Sequence, residues 1–314
     1  MDKALELIRI LGQSDDYFER QKAAWALVNL GEPAVDDVAR ALETGEFSDL
    51  RYKSAWILGK IGSRKAMEPL CRALLSDPDH VVREWSAAAL EALGFQDAAP
   101  TLAVAMKRDS ARDVRLRSAV ALRSLGAADT LRELLSYAEP EVRGMAATGL
   151  AKIGHRESLP EVARLLEDED LEVRRRAAAY MAEFACEEAL EALSVVLKDR
   201  ESLLRTEALK SLAKIKGEKA CDMALQALSD EDWFVRYTAV TALGEIGHNK
   251  ALDTLVEVMF GQEDEEIRAW AAWSLGEIGD ERAVEHLHKA YKTCPMEVMK
   301  KARDSLVEIF KQEV

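Results

Sequence analysis

Histidine, cysteine and paired acidic side chains are the residues of this 314-residue chain that could hold a metal or act as acid, base or nucleophile. The five histidines are His80, His155, His248, His286 and His288, and none of them is followed by glutamate. His286 and His288 are two residues apart on an expected helix, where about 100° of rotation per residue points them to opposite sides. The common nucleophile, phosphate-loop and metal-ligand motifs are absent from the sequence. The sequence therefore predicts no catalytic residue, no metal site and no cofactor.

The cysteines indicate the compartment. Cys71, Cys186, Cys221 and Cys294 are far apart and form no CxxC pair. Because the N-terminal residues lack the apolar block of a signal peptide, we expect buried thiols in a reducing, cytoplasmic setting. The longest apolar runs are well short of the roughly 20 residues that a membrane span needs, so we expect no membrane association. The net charge of −14 would also repel nucleic acid and anionic membranes if it were evenly spread.

An internal repeat must position all of these side chains. Residues 268–284 read RAWAAWSLGEIGDERAV, residues 236–252 read RYTAVTALGEIGHNKAL, and residues 51–67 read RYKSAWILGKIGSRKAM. Each unit contains one basic residue, here called the anchor, and successive anchors are 28 to 32 residues apart. The ten anchors are Arg20, Arg51, Arg83, Arg115, Arg143, Arg174, Arg205, Arg236, Arg268 and Lys300. Units of this length leave no linker, so we expect a single domain over residues 1–314.

Each unit has the pattern of two helices, and the second helix begins near the anchor. Apolar or small residues one position before the anchor and three, seven and ten positions after it fall on one face, since about 100° separates neighbours. Glycine eleven positions after the anchor, as in Gly62 and Gly94, fits the left-handed cap that ends a helix. One helix pair cannot bury its apolar face alone, so the pairs must stack. The sequence predicts an all-α solenoid with repeats at approximately residues 1–31, 32–62, 63–94, 95–126, 127–154, 155–185, 186–216, 217–247, 248–279 and 280–314.

The unit D-x-x-V-R-x-x-A-A-x-A-L-G-x-I-G-D-x-x-A resembles the short HEAT repeats of the phycobilin-lyase type, and residues 264–284, DEEIRAWAAWSLGEIGDERAV, match it almost throughout. The resemblance covers all ten units and implies a right-handed superhelix. Two enzyme families share this scaffold. Deoxyhypusine hydroxylases hold two irons with repeated His-Glu dipeptides, which this chain lacks. The likeness to phycobilin lyases rests on the repeat unit alone, without a second signature for a bilin.

An acidic residue stands four positions before the anchor in seven of the ten units. These residues are Asp16, Asp79, Glu139, Asp170, Glu201, Asp232 and Asp264. An acid at a helix start interacts favourably with the positive end of the helix dipole, and it could also pair with an arginine of its own or an adjacent unit. We interpret this column as a structural ladder between units.

Positions one, two, five and nine after the anchor form a stripe on the second helix, roughly opposite the core face at about 100° per residue. In similar solenoids the second helices line the concave side. The stripe contains five of the six tryptophans, and its ten basic and five acidic residues give it a charge of +5 in a chain of −14. Exposed tryptophan beside arginine is typical of interface hot spots. The predicted groove consists of Trp25, Tyr52, Trp56, Trp85, Arg117, Lys152, Arg175, Arg176, Lys210, Lys214, Tyr237, Trp270 and Trp273.

This pattern favours a non-enzymatic scaffold or adaptor that binds a protein partner in its concave groove. Aromatic anchors at both ends and a basic middle, from Arg117 to Lys214, would suit an acidic or amphipathic segment. Two alternatives stay open. The first is a chromophore-attachment or chaperone factor like the phycobilin lyases. The second is a nucleic-acid-binding solenoid, because basic residues interleaved with aromatics also describe such a surface; the charge of −19 outside the stripe disfavours it.

Overall fold

The structure, a computed structural model, describes residues 3–312, with side chains placed for residues 3–310. Within that range twenty α-helices form ten consecutive pairs, and no strand occurs. The expectation of an all-α solenoid built from ten helix pairs is confirmed. Short 3₁₀ turns, such as Glu32–Ala34 and Arg64–Ala66, precede several of the first helices.

The chain divides into two compact units, and the first comprises residues 1–155 with five helix pairs. The first helices of these pairs are α1 (Lys3–Gln13), α3 (Val35–Thr44), α5 (Met67–Ser76), α7 (Ala99–Arg108) and α9 (Ala128–Leu134). The second helices are α2 (Tyr17–Leu30), α4 (Ser48–Ile61), α6 (His80–Leu93), α8 (Arg112–Ser124) and α10 (Pro140–Ile153).

The second unit, residues 156–314, also has five helix pairs. Its first helices are α11 (Leu159–Arg164), α13 (Glu187–Val196), α15 (Glu218–Gln226), α17 (Leu252–Phe260) and α19 (Ala283–Thr293). Its second helices are α12 (Leu171–Met181), α14 (Ser202–Ile215), α16 (Trp233–Ile246), α18 (Glu265–Ile278) and α20 (Met296–Gln312). Two of these helices, α11 and α12, are shorter than their counterparts, and no glycine closes α12.

The second helices begin and end at side chains that the repeat supplies. Before α6, the carboxylate of Asp79 accepts a hydrogen bond from the backbone N–H of Val81, which satisfies one of the free donors of the first turn. Asp16, Asp170 and Asp232 cap their helices in the same way. At the other end of α4, Gly62 has a φ of 77°, a conformation that costs glycine little. The capping role of these four aspartates agrees with the expected acid at the helix start.

Neighbouring second helices within a unit pack directly against one another, as α4 does against α6 and α16 against α18. The predicted core face is buried: in α6 it carries Val82, Ser86, Leu90 and Leu93. Small residues let the backbones approach. A Cβ added at Gly59 of α4 would lie 2.9 Å from the Cα of Ala89 on α6, so this contact admits no side chain.

The anchor arginines join successive repeats. Arg83 donates from Nε and Nη2 to both carboxylate oxygens of Asp109 at 2.7 and 2.9 Å, and from Nη1 to the carbonyl oxygens of Asp77 and Pro78. One guanidinium thus ties its own loop to the loop of the next repeat. An ion pair between the corresponding positions recurs in Arg51–Asp77, Arg115–Glu141, Arg174–Asp199, Arg205–Asp230 and Arg236–Glu263.

The acid in this ladder differs from the predicted one. In these six pairs the acidic partner lies 25 to 27 residues after its anchor. Of the seven acids four positions before an anchor, four aspartates act as side-chain caps instead. Burial opposes ionisation of Asp109, but hydrogen bonds from Arg83 and from the backbone of Ala111 outweigh it and hold the pKa of that carboxyl below its usual value. An ion-pair ladder therefore joins successive repeats, and its acids belong to a different column of the repeat from the one predicted.

Candidate protein-interaction surface

The thirteen side chains of the predicted groove all reach solvent to some degree. The exposed ones are Trp25, Trp85, Lys152, Lys210 and Lys214, and the half-buried ones are Tyr52, Trp56, Arg117, Arg175, Arg176, Tyr237, Trp270 and Trp273. The rest of the stripe is less uniform, since Lys53, Thr206 and Thr238 at stripe positions are buried. The expectation that all four columns form exposed surface was therefore wrong for part of the stripe.

Four aromatic side chains of the first unit form two ring contacts across neighbouring second helices. Trp25 of α2 meets Trp56 of α4 edge-on, with ring centroids 5.2 Å apart. Tyr52 of α4 stacks on Trp85 of α6 at 6.2 Å. Trp25 nevertheless keeps 51% of its surface exposed, and Trp85 keeps 38%. The rings hold one another in place while leaving indole surface open to a partner.

A cleft of about 160 Å³ lies between two of these rings. Trp56 and Trp85 form its walls, and the Trp56–Trp85 cleft, as we call it, is further lined by Gly59, Lys60, Ala88, Ala89 and Ala92. The close contact of Gly59 with Ala89 forms a floor without protruding side chains. The sequence could not indicate this cleft from the tryptophans alone, since it depends on the small residues between them.

The two lysines beside the aromatic side chains of the first unit differ in whether a partner could reach them. Lys60 lies with its Nζ 6.0 Å from the centre of the Trp56 ring and is exposed. Lys53 is buried and donates to Asp49 at 2.6 Å, so its charge is neutralised inside the protein. Burial and a hydrogen bond to Asp49 raise the pKa of Tyr52 to about 12. Tyr52 is thus an uncharged ring at neutral pH.

The arginines of the predicted basic middle are engaged by acids. Arg117 lies 3.9 Å from both Glu84 and Glu91. In the second unit Arg175 and Arg176 share one carboxylate, that of Glu172 on the same helix, at 2.9 and 2.8 Å. Glu172 lies outside the four stripe columns, so the sequence count of +5 overstated the free positive charge. Lys152, Lys210 and Lys214 make no hydrogen bond or ion pair with the side chains placed in residues 3–310.

The second unit has its own aromatic group on α16 and α18, and it is larger than predicted. Trp233 stacks on Tyr237 at 5.4 Å, and Phe234 stacks on Tyr237 at 5.9 Å. Tyr237 then meets Trp270 edge-on at 5.8 Å, and Trp270 meets Trp273 at 5.2 Å. Trp233 and Phe234 were missed because they precede the anchor by three and two positions, outside the stripe.

Metal-ligand clusters and membrane-spanning helices are absent from the described residues. Among the residues that the structure describes, no group of three or more histidine, cysteine or acidic side chains could hold a metal ion. No described helix is both long and apolar enough to cross a membrane. The four cysteines are free thiols; Cys221 is buried, whereas Cys71, Cys186 and Cys294 are only half-buried, which corrects the expectation of four buried thiols.

The repeat assignment agrees with comparisons to known proteins. A family model for HEAT repeats matches residues 35–123, 102–181, 128–213, 162–228 and 221–307. The chain belongs to the HEAT-repeat family. The matched segments overlap into one stretch, residues 35–307, which covers most of the HEAT solenoid. A search of curated proteins finds no match to this chain.

Several solved structures have a similar fold. Yeast importin-β matches with a TM-score of 0.62 at 14% identity, covering 98% of this chain and 49% of that one. The complex of Kap95 with Nup1 matches at 0.64 and 14%, covering 98% and 49%. This chain therefore spans about half the length of these importins, and the likeness shows the fold alone. The phycocyanin lyase complex of CpcE and CpcF from Nostoc is 27% identical over 71% of this chain and 92% of that chain, but its TM-score is 0.36 and it supports no argument about activity.

Proposed function

We propose that this HEAT solenoid is a non-catalytic scaffold or adaptor that binds a protein partner through the exposed face of its second helices. The observation that carries the proposal is the Trp56–Trp85 cleft of the first unit. Exposed tryptophan around a recess is the composition of interface hot spots, where one inserted side chain contributes much of the affinity. Its volume of about 160 Å³ suits a single side chain rather than a drug-sized ligand, whose pockets measure roughly 300–1,000 Å³.

The surroundings of the cleft favour a partner segment with an acidic flank. Lys60 borders the cleft, and Lys22 on the neighbouring α2 is exposed as well. Neither lysine has an ion-pair partner among the side chains placed in residues 3–310. A partner carboxylate beside the cleft would gain from the charge of Lys60 without displacing an internal ion pair. Because such exposed pairs are screened by salt, binding should weaken as the ionic strength rises.

The wider groove stays part of this proposal. Its arginines have a supporting role, since Arg117, Arg175 and Arg176 must release internal carboxylates before they can bind an acidic segment. Free cysteines in the described chain support a reducing compartment, and we propose the cytoplasm.

Affinity capture from a lysate of the source cells tests the proposal. Three baits are compared, with and without nuclease: the wild-type chain, Ala92→Gln, which places a polar side chain in the cleft, and Leu75→Gln as a control. Ala92 and Leu75 are exposed helical positions of the same repeat, on α6 and α5 respectively. We expect a protein that the wild type and the control retain after nuclease and that Ala92→Gln loses.

Other outcomes of this capture would contradict the proposal. Material that nuclease removes would favour a nucleic-acid-binding solenoid. A bound chromophore with a visible absorption band would favour a bilin-handling factor. Equal retention by all three baits would place the binding site away from the cleft.

A further inference from the structure

Exposed carboxylates border the aromatic group of the second unit. Glu245 of α16 and Glu277 of α18 occupy the same repeat position, nine residues after Arg236 and Arg268 respectively. Both are exposed, and neither has an ion-pair or hydrogen-bond partner among the side chains placed in residues 3–310. Glu277 follows Trp273 by four residues, one helical turn, so the two share a face of α18. The adjacent helices therefore each present an unneutralised carboxylate at this position, and the one on α18 lies one turn from the indole of Trp273.

A third carboxylate lies at the other end of the rings. Glu266 is exposed near the start of α18, four residues before Trp270. Burial raises the pKa of Tyr237 above its usual value, and the nearby negative charge of Glu266 raises it further. Glu266 and Trp270, one helical turn apart, share a face of α18. We call the set Tyr237, Trp270, Trp273, Glu245, Glu266 and Glu277 the aromatic–acidic surface.

One ring of this surface already holds a cation. The Nζ of Lys301, from α20, lies 4.1 Å from the centre of the Trp270 ring. At that distance the ammonium is attracted by the negative face of the indole. Lys301 is half-buried, so this contact belongs to the folded protein rather than to a free surface chain. The geometry of the rings is thus compatible with an ammonium or guanidinium group.

We propose that the aromatic–acidic surface binds a lysine- or arginine-rich segment of a protein partner. Cations pair with the exposed carboxylates at both ends, and their side chains lie on the rings between them. The inference rests on the proposed scaffold function and extends it to a second surface of opposite preference. The Trp56–Trp85 cleft is bordered by Lys60, which has no ion-pair partner among the described side chains, whereas this surface carries carboxylates without one.

A synthetic peptide tests the inference directly. A fluorescent 15-residue peptide, in which a basic residue (lysine or arginine) alternates with serine, is titrated with the full chain. The fluorescence anisotropy of the peptide reports binding. We expect saturable binding that Glu245→Gln with Glu277→Gln weakens about tenfold, since two charge-assisted contacts are lost. The matched control, Glu257→Gln with Glu285→Gln, removes the same charge from exposed positions of α17 and α19 and should change the affinity less than about twofold.

A third variant should change the peptide affinity in the opposite direction. Lys301→Gln frees the Trp270 ring and removes a competing charge, so it should tighten peptide binding roughly threefold. The control Lys292→Gln changes an exposed lysine of α19 and should have little effect.

Two results would overturn the inference. One is the absence of saturable binding to the wild type. The other is equal weakening by both glutamate pairs, which would reduce the binding to nonspecific attraction by an acidic protein. Ala92→Gln should leave the peptide affinity unchanged. The proposal for the Trp56–Trp85 cleft and the proposal for this surface can therefore be refuted separately.

Discussion

Removing one anchor arginine should destabilise the solenoid far more than removing a surface arginine. The side chains of Arg83 and Asp109 are only 12% and 6% exposed, and two bonds join them. Arg83 also donates to the carbonyl oxygens of Asp77 and Pro78. In Arg83→Met these carbonyls lose a donor and Asp109 keeps a largely buried charge without its partner. Breaking a buried ion pair in this way costs about 3–5 kcal/mol, and we expect about 3 kcal/mol because the site is not fully enclosed.

The control is Arg40→Met, which removes an arginine whose side chain is 65% exposed and pairs with Asp37 at 3.1 Å. Exposed pairs of this kind contribute less than about 1 kcal/mol, and we expect about 0.3 kcal/mol. Unfolding in urea, followed by helical circular dichroism, gives both values, and fits must allow for populated intermediates in a repeat protein. The double variant Arg83→Met with Asp109→Asn should recover at least about 1 kcal/mol, since the stranded charge disappears. Equal stability of Arg83→Met and Arg40→Met would refute the ladder as a structural element.

Three further predictions concern the ladder and the packing between second helices. The thiol of Cys294 lies 3.9 Å from Arg268, at the position where other repeats carry the ladder acid. In Cys294→Asp a carboxylate replaces this thiol, and the free energy of unfolding in urea should rise by about 1 kcal/mol. In Gly59→Ala the added methyl meets the backbone of Ala89 at 2.9 Å, and thermal unfolding should show a loss of about 2 kcal/mol. The lowered pKa of Asp109 means that its contribution is complete above the ordinary pKa and disappears as the pH falls through the folded value. Acid titrations should therefore find that Asp109→Asn loses less stability than the wild type below about pH 4.

Each of these predictions has a matched comparison. Cys294→Ser offers no charge to Arg268, so a gain equal to that of the aspartate would refute the ladder explanation. A methyl added at Gly149 meets a terminal methyl of the Leu131 side chain at 3.0 Å, which can shift more easily than backbone, so Gly149→Ala should cost less than Gly59→Ala. If the free energy of unfolding falls with acid in the same way for the wild type and Asp109→Asn, the pairing with Arg83 contributes nothing to the pH dependence of stability.

The sequence was sufficient for the helices because their signals are local. Asp79 and Gly94 bracket α6 within one repeat, and the apolar period between them fixes the buried face. The ladder partner was mistaken because Asp109 is 26 residues from Arg83, and the pairing depends on how neighbouring loops meet. The column that contains it is visible in the sequence only as an acid six positions before the next anchor in several repeats.

The binding surface was only partly predictable for a similar reason. Helical periodicity places Trp56 and Trp85 on the outward face, but the cleft between them depends on small residues from two helices. Periodicity also placed Lys53 on that face, where Asp49 and the packing bury it. Whether a stripe residue is buried or ion-paired depends on side chains outside the four stripe positions. The charge count over those four positions does not include them.

The affinity of the captured partner for three purified chains tests the central claim most directly. Isothermal titration calorimetry would compare the wild type with Ala92→Gln in the Trp56–Trp85 cleft and with Leu75→Gln on α5. We predict that Ala92→Gln raises Kd at least about tenfold while the control stays within about twofold, because the cleft holds a hot-spot side chain. An unchanged Kd for Ala92→Gln would contradict the assignment of the Trp56–Trp85 cleft as the binding site.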